Sequence, residues 1–228
     1  MLLLVTQAMA QMRAHAHPHL GRLVQPRHYS RLDVMLADGG PWAADNDCFQ
    51  GLDPSAYFDM LDALQAARIR HAGGDRRAEA WTDPCLFVTV PDVVADAHAT
   101  VRGWMRWSEG LRRRGLPIAF VLQDGCESGL IPPWWALDAV FICGSTEWKL
   151  GPQAKWIVGE ARARGKWVHM GRVNSEKRLR YAHAIGCDSV DGTKYVRWRD
   201  HYLDEALGLL EQIDAETVTY GRQLRLAA

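Results

Sequence analysis

The chain has 228 residues, 48% of them apolar and 24% charged, and its 27 basic and 27 acidic side chains cancel to a formal net charge of zero. That length gives one sizeable core and is short for two, so residues 1–228 are read as a single domain. The charge balance excludes a chain-wide pull toward nucleic acid, and any such attraction has to come from a local basic face.

Taken in chain order, the apolar run in "MLLLVTQAMAQ" is too short for a membrane span and has no basic segment before it. It is read as a first buried strand over 2–6. Residues 11–30, rich in histidine and arginine, are assigned to a loop over one end of the fold. Short apolar runs then predict strands at 32–37 (LDVMLA), 41–45 (PWAAD), 86–90 (LFVTV), 118–122 (IAFVL), 139–143 (AVFIC), 167–170 (WVHM) and 188–190 (DSV). Several lack any polar alternation, as parallel strands covered on both faces do.

Helical patterns lie between them. One covers 54–70, with Asp53 as its cap and Pro54 at its first position, and a loop follows at 71–84. Others cover 94–114, ending in Arg-Arg-Arg-Gly, and 152–164, ending at Gly165. The next runs from Asn174 or Ser175 to Ile185, closed by Gly186, and the last covers 202–213. The terminal "RQLRLAA" is expected to fray. Strands alternating with helices predict an α/β fold with a parallel sheet. About eight strands favour a small closed (β/α)₈ TIM-type barrel over an open sheet. Neither GxGxxG nor a P-loop motif occurs, which lowers the dinucleotide and nucleotide-binding alternatives.

A barrel of this kind places its chemistry at the carboxyl ends of its strands. Six predicted strands are followed in turn by Asp45-Asn46-Asp47, by Asp92, by Gln123-Asp124, by Gly144-Ser145, by Gly171-Arg172 with Asn174 beyond, and by Asp191-Gly192. Carboxylates at several separate ends, beside an amide and two glycines that permit close approach, predict a converging site. Without a histidine cluster of metal-binding type, they fit acid–base or nucleophilic work at a glycosidic carbon. An amide beside a carboxylate suits the edge of a purine-like base, and Phe49 or Trp148 can cover the face of one.

These residues resemble the tRNA-guanine transglycosylases, (β/α)₈ barrels that exchange a guanine base for a 7-deazaguanine. "DNDCFQ" (45–50) resembles that family's DSGGFQ, "VPDVV" its acidic residue after a central strand, and "LQDG" (122–125) its VQGG. "CGS" (143–145) is similar to its GGL, "MGRV" (170–173) to its MGVG, and "GCDSVD" (186–191) to its GxDxFD. The order and spacing of all six agree through most of the chain. "DNDCFQGLDPSAY", "GSTEWKLGP" and "GKWVHMGRVNS" look closer still to the phage-type DpdA DNA-guanine transglycosylases.

The resemblance implies roles. Asp191 would be the nucleophile and Asp45 the general acid/base. Asp92, Gln123, Gly144, Ser145 and Gly171 would bind the base, with Phe49 stacked on it. Gly192 would leave room for a polymer. Arg172, Lys149, Lys194 and Asn174 follow strand ends on the same face and are the candidates for phosphate contact. The partners implied are DNA and a free 7-deazaguanine such as preQ0; no metal or organic cofactor is called for, and no membrane. Related barrels pair, which leaves a homo-oligomer open.

There are departures. The family's C-terminal zinc-binding cysteine cluster has no counterpart here, which argues against tRNA held in the usual way. Asp47-Cys48 replaces the Gly-Gly of DSGGFQ, and a second carboxylate beside Asp45 would raise at least one pKa. The rival readings are a nucleoside or N-glycoside hydrolase on the same carboxylates, a tRNA-guanine transglycosylase, and a non-enzymatic nucleic-acid-binding module, which neutral charge disfavours. The five cysteines, an odd number with no CxxC pair, fit a reducing cytoplasm, that of a bacterial host if the chain is phage-encoded. "HAHPH" (15–19), "RLVQPRHYSR" (22–31) and "RRR" (112–114) read first as solvated surface.

Overall fold

The computed structural model describes residues 1–6, 17–29, 32–71, 84–197 and 200–226. Eight parallel strands close into a barrel in sequence order. They are β1 (Leu2–Val5), β2 (Leu20–Val24), β3 (Trp42–Ala44), β4 (Cys85–Thr89), β5 (Ile118–Leu122), β6 (Ala139–Ile142), β7 (Trp167–Met170) and β8 (Ser189–Asp191). Pairing of Leu4 with Asp191 and of Leu3 with Val190 joins the last strand to the first. This is a (β/α)₈ barrel of TIM type. The helices are α1 (Leu32–Ala37), α2 (Pro54–His71), α3 (Ala97–Arg112), α4 (Thr146–Lys149), α5 (Pro152–Ala163), α6 (Glu176–Ile185), α7 (Lys194–Arg197) and α8 (Asp200–Leu226). Between β5 and β6 the described chain makes only short 3₁₀ turns, at Cys126–Ser128 and Trp134–Ala136.

Two sequence expectations change here, and they are linked. Residues 32–37, expected as a strand, form α1, because Leu32, Met35 and Leu36 are its buried positions, at the i, i+3, i+4 spacing of a helix. The missing strand is β2, which lies inside the 11–30 segment expected to be a loop. Arg22 sits in the middle of β2 and is nevertheless buried. Its guanidinium leaves the sheet to donate to Met35 O at 2.9 Å and to Asp38 Oδ2 at 2.6 Å, both supplied by α1 and its end. The helix thus satisfies the charge that the strand buries. Gly21 is obligatory beside it, since a Cβ there would stand 2.6 Å from Leu4 Cδ2 and 2.9 Å from Pro41 O.

The remaining elements fall close to their predicted ranges. Ser175, not Asn174, caps α6, accepting from the Arg178 amide, and Gly186 closes it in the left-handed conformation. α8 is longer than expected and runs to Leu226, into the stretch expected to fray. The loop expected at 71–84 lies, apart from its two ends, outside the described residues. His17 and His19 contact Glu211 and Asp214 on α8, so this part of "HAHPH" braces the terminal helix. In the "RRR" run, Arg113 pairs with Glu109 and Arg114 with Asp62. Among the described residues no helix is long and apolar enough to cross a membrane.

Two cores follow from strand alternation. The outer one packs strands such as β1, β3 and β5 against the helices, through Leu3, Trp42, Phe120, Met60, Leu64 and Ile157. The inner one fills the barrel with Leu4, Leu23, Ala43, Phe87, Ala119, Val121, Ala139 and Phe141. Each large side chain fully buried in them contributes about 1.5–3 kcal/mol. The inner face decides where chemistry can sit, because side chains two residues apart on a strand share a face.

Candidate active site

Extending the inner face by one further step at six of the eight strand ends gives Thr6 after Leu4, Gln25 after Leu23, Asp45 after Ala43, Cys143 after Phe141, Gly171 after His169, and Asp191 after Ser189. All six of the residues so reached line one cavity of about 550 Å³, together with Arg27, His28, Asp47, Cys48, Phe49, Asp92, Arg172, Asn174 and Gly192. That volume lies within the roughly 300–1,000 Å³ of small-molecule sites. Asp45 and Asp191, 146 residues apart in the chain (191 − 45), therefore open onto the same space.

The two aspartates are held differently. Asp45 accepts one hydrogen bond, from Gln25 Nε2 at 2.8 Å. Loss of hydration, reinforced by the charges of Asp92, Asp191 and Asp47 and partly offset by the Gln25 bond, raises its pKa from 3.8 to about 7. Asp191 accepts at both oxygens: Arg172 N–H reaches Oδ1 at 3.1 Å, and His169 Nε2 lies 3.0 Å from Oδ2. Gln25 and His169 were both missed at the sequence level. Gln25 follows the unrecognised strand β2, and His169 is the penultimate residue of β7, inside an apolar run and not after it.

Asp92 lies deeper, 3% exposed, and burial raises its pKa. Asn46 Nδ2 donates to its Oδ1 at 2.8 Å, while Gln123 Nε2 at 2.7 Å and the Cys48 thiol at 3.1 Å donate to its Oδ2. Gln123 is itself fully buried and its Oε1 accepts from the amides of Ala95 and Gly144. Neither Gln123 nor Gly144 lies in the cavity wall. Both were expected to touch a base; in the structure the Gln123 amide group is taken up by Asp92 and by the Ala95 and Gly144 amides, and the Gly144 carbonyl accepts from the Arg172 guanidinium. Ser145 is similarly removed: its amide and hydroxyl donate to Asp124, and its oxygen caps α4 by accepting from the Trp148 amide.

Phe49 and Gly171 do line the cavity. Phe49 is 58% exposed, with the Arg172 guanidinium 4.9 Å from its ring centre. Gly171 gives space to the inner core, since a Cβ there would meet Phe141 Cε2 at 2.5 Å and Asp191 Oδ2 at 3.2 Å. Gly192 is required for packing: a Cβ would stand 2.4 Å from Val173 O and 2.8 Å from Asn174 Oδ1. The expected reason, room for a polymer, is not the local one.

Of the residues expected at phosphate, Arg172 and Asn174 line the cavity, and Lys194 follows Asn174 through its amide, which donates to Asn174 Oδ1 at 3.0 Å. Lys149 is a correction. It is 1% exposed, donates to Gly171 O at 2.7 Å, and burial lowers its pKa to about 8. It supports the Gly171-Arg172 turn from behind and is not presented to a ligand. Both cavity thiols, Cys48 and Cys143, are pushed upward by burial, Cys143 to about 11, which suppresses the thiolate form.

The sequence matches no family model and no curated protein sequence. Solved structures do match in shape. One described as a native KDPGal structure superposes with a TM-score of 0.54 at 10% identity, covering 96% of this chain and 95% of that one. A mandelate oxidase mutant carrying the C4a-OH-FMN adduct gives 0.54 at 14% identity, covering 95% and 72%. At such identities the likeness is one of fold.

Proposed function

We propose that the protein exchanges guanine in DNA for a 7-deazaguanine base through a covalent sugar–aspartate intermediate. The observation that carries the reading is the pair of differently held aspartates in one cavity, Asp45 with its pKa at about 7 and Asp191 anchored at both oxygens. The motif order that resembles the transglycosylases gives the same two residues the same two roles.

In this reading the base leaves the stack to enter the cavity, with Phe49 as a platform at the rim. Asp191 attacks C1′; the bond from C1′ to N9 breaks, and its electron pair leaves with guanine, which takes a proton from neutral Asp45. The products are a glycosyl ester on Asp191, free guanine and an Asp45 carboxylate. A 7-deazaguanine then enters, gives its N9 proton to Asp45, and attacks C1′ to release the Asp191 carboxylate. Atoms and charge balance, and the phosphodiester chain is untouched. An Asp45 pKa near neutrality suits a group that must both give and take a proton in one cycle. Asp92, pre-set by Gln123, Asn46 and Cys48, presents a fixed polar edge to the bound base.

The test is DNA carrying radiolabelled guanine, incubated with and without preQ0, with the product nucleosides resolved by mass spectrometry. The expected result is guanine release matched by deazaguanosine in the DNA, and neither from Asp191→Asn. Release without acceptor, leaving abasic sites, would assign a hydrolase instead. Exchange in tRNA but not in DNA would move the substrate. No release from either overturns the reading.

A further inference from the structure

We propose that His169 is a positioning residue for the Asp191 carboxylate, and that Trp167 and Ser189 fix its tautomer through a one-way hydrogen-bond chain inside the barrel. The catalytic part of this proposal rests on the base-exchange reading; the direction of the chain does not.

His169 is fully buried. Its ring lies in the inner core, with the Phe141 ring edge-on at 4.4 Å and the Phe87 ring at 5.2 Å. A polar ring in such a place has to have both nitrogens satisfied. Nδ1 lies 2.8 Å from Ser189 Oγ and Nε2 lies 3.0 Å from Asp191 Oδ2. Trp167 Nε1 also reaches Ser189 Oγ, at 2.9 Å.

The donor inventory orients this chain. Indole N–H can only donate, a hydroxyl has one hydrogen, and a carboxylate can only accept. Trp167 therefore donates to Ser189, the Ser189 hydroxyl donates to Nδ1, and Nε2–H donates to Asp191. In the opposite tautomer Ser189 would receive two donors, its own hydrogen would have no acceptor among these contacts, and a bare Nε2 would face the carboxylate.

Register supplies the geometry. His169 and Ser189 are Cα partners across β7 and β8, and Asp191 follows Ser189 on the same inner face. Arg172 N–H holds the other oxygen of Asp191. Anchored at both oxygens, the carboxylate cannot rotate freely, which favours a single line of attack on C1′.

Two measurements test this. The first is ¹⁵N NMR of histidine-labelled wild-type protein. The expected state of His169 is Nε2 protonated and Nδ1 bare, with Ser189→Ala giving a tautomer mixture. A proton on Nδ1 in the wild type, alone or with Nε2, overturns the chain direction whatever the protein's activity. The second is base-exchange kinetics. His169→Phe, which fits the aromatic surroundings, is expected to lower kcat about 100-fold with KM for DNA within about twofold. His169→Gln, whose amide can still donate to Asp191, is expected to recover at least about tenfold of that loss. Ser189→Ala, which keeps His169 in place if the phenylalanine variant fails to fold, is expected to lower kcat about fivefold. If His169→Phe, or Ser189→Ala in its stead, exchanges at the wild-type rate, the positioning role is wrong. If the wild type exchanges nothing, the base-exchange reading fails, while the NMR result still decides the direction of the chain.

Discussion

At Asp45, moving a carboxyl from 3.8 to about 7 leaves a signature in stability as well as in rate. Between those pH values the folded protein keeps a proton that the unfolded chain has lost. Stability therefore falls as pH rises through the window and is level below 3.8 and above about 7. The full effect of such a shift is about 4 kcal/mol, and hydration through the cavity mouth reduces it to about 2 kcal/mol. Asp45→Asn, which cannot titrate, is expected to gain about that much on wild type in urea melts at pH 8 relative to pH 4. Its exchange activity should be lost at both. In the wild type, kcat/KM for DNA should fall above about pH 7, where free Asp45 loses its proton. Gln25→Leu removes a bond that favours the charged form, so the falling limb should move to higher pH in a rate profile. Asp45 was legible in the sequence because it ends a recognisable strand. Gln25 was not, since its place in the site exists only once β2 is known. Gln123 is legible as a polar strand end, but sequence cannot show that the Ala95 and Gly144 amides already occupy its oxygen.

Among the elements, the turn after β7 concentrates three functions in one residue. Arg172 has φ of 60°, its amide holds Asp191, and its guanidinium donates to Gly144 O and lies over Phe49. A left-handed arginine costs about 1–2 kcal/mol, and glycine would relieve that while keeping the amide. Arg172→Gly should thus leave thermal stability equal or slightly raised, keep kcat within about threefold, and raise KM for DNA by about tenfold through loss of the Phe49 support and the local charge. A large fall in kcat with unchanged KM would instead place the side chain at the chemistry. The same element shows what sequence patterns can carry. "WVHM" was recognisable as a strand from its apolar content, yet the histidine inside it, pointing along the same inner face as Gly171, carried no signal of its own. The exchange of strand for helix at 20–37 has a similar cause. Apolar density favoured 32–37, whereas Leu32-Met35-Leu36 spacing favoured a helix, and the charge of Arg22 hid a strand whose guanidinium is paired with Met35 O and Asp38 outside the sheet.

For the whole molecule, the barrel supplies a neutral body with a mixed-charge mouth, and this limits how the proposed DNA substrate would be held. Balanced charge gives no long-range attraction. Among the described residues, the cations in the cavity wall are Arg27 and Arg172; Lys194 adjoins Asn174 through its amide and holds its ammonium over the Tyr202 ring at 4.1 Å. Arg27 is already paired with Asp47 at 3.2 Å, so its approach to phosphate requires giving up part of that contact. Among the described residues, two or three phosphate contacts are then the most this face provides. Each phosphate neutralised on a single strand contributes about −0.7 to the slope of log K against log salt, so binding of single-stranded DNA should show a slope of about −1.5 to −2. Arg27→Ala should make it shallower by less than one full contact, because the pairing with Asp47 already screens that charge, and Lys194→Ala by about 0.7. Fluorescence anisotropy between about 50 and 200 mM salt measures this directly. A slope steeper than about −4 would mean that DNA lies across another face, away from Asp45 and Asp191, and would separate binding from the cavity to which the chemistry is assigned.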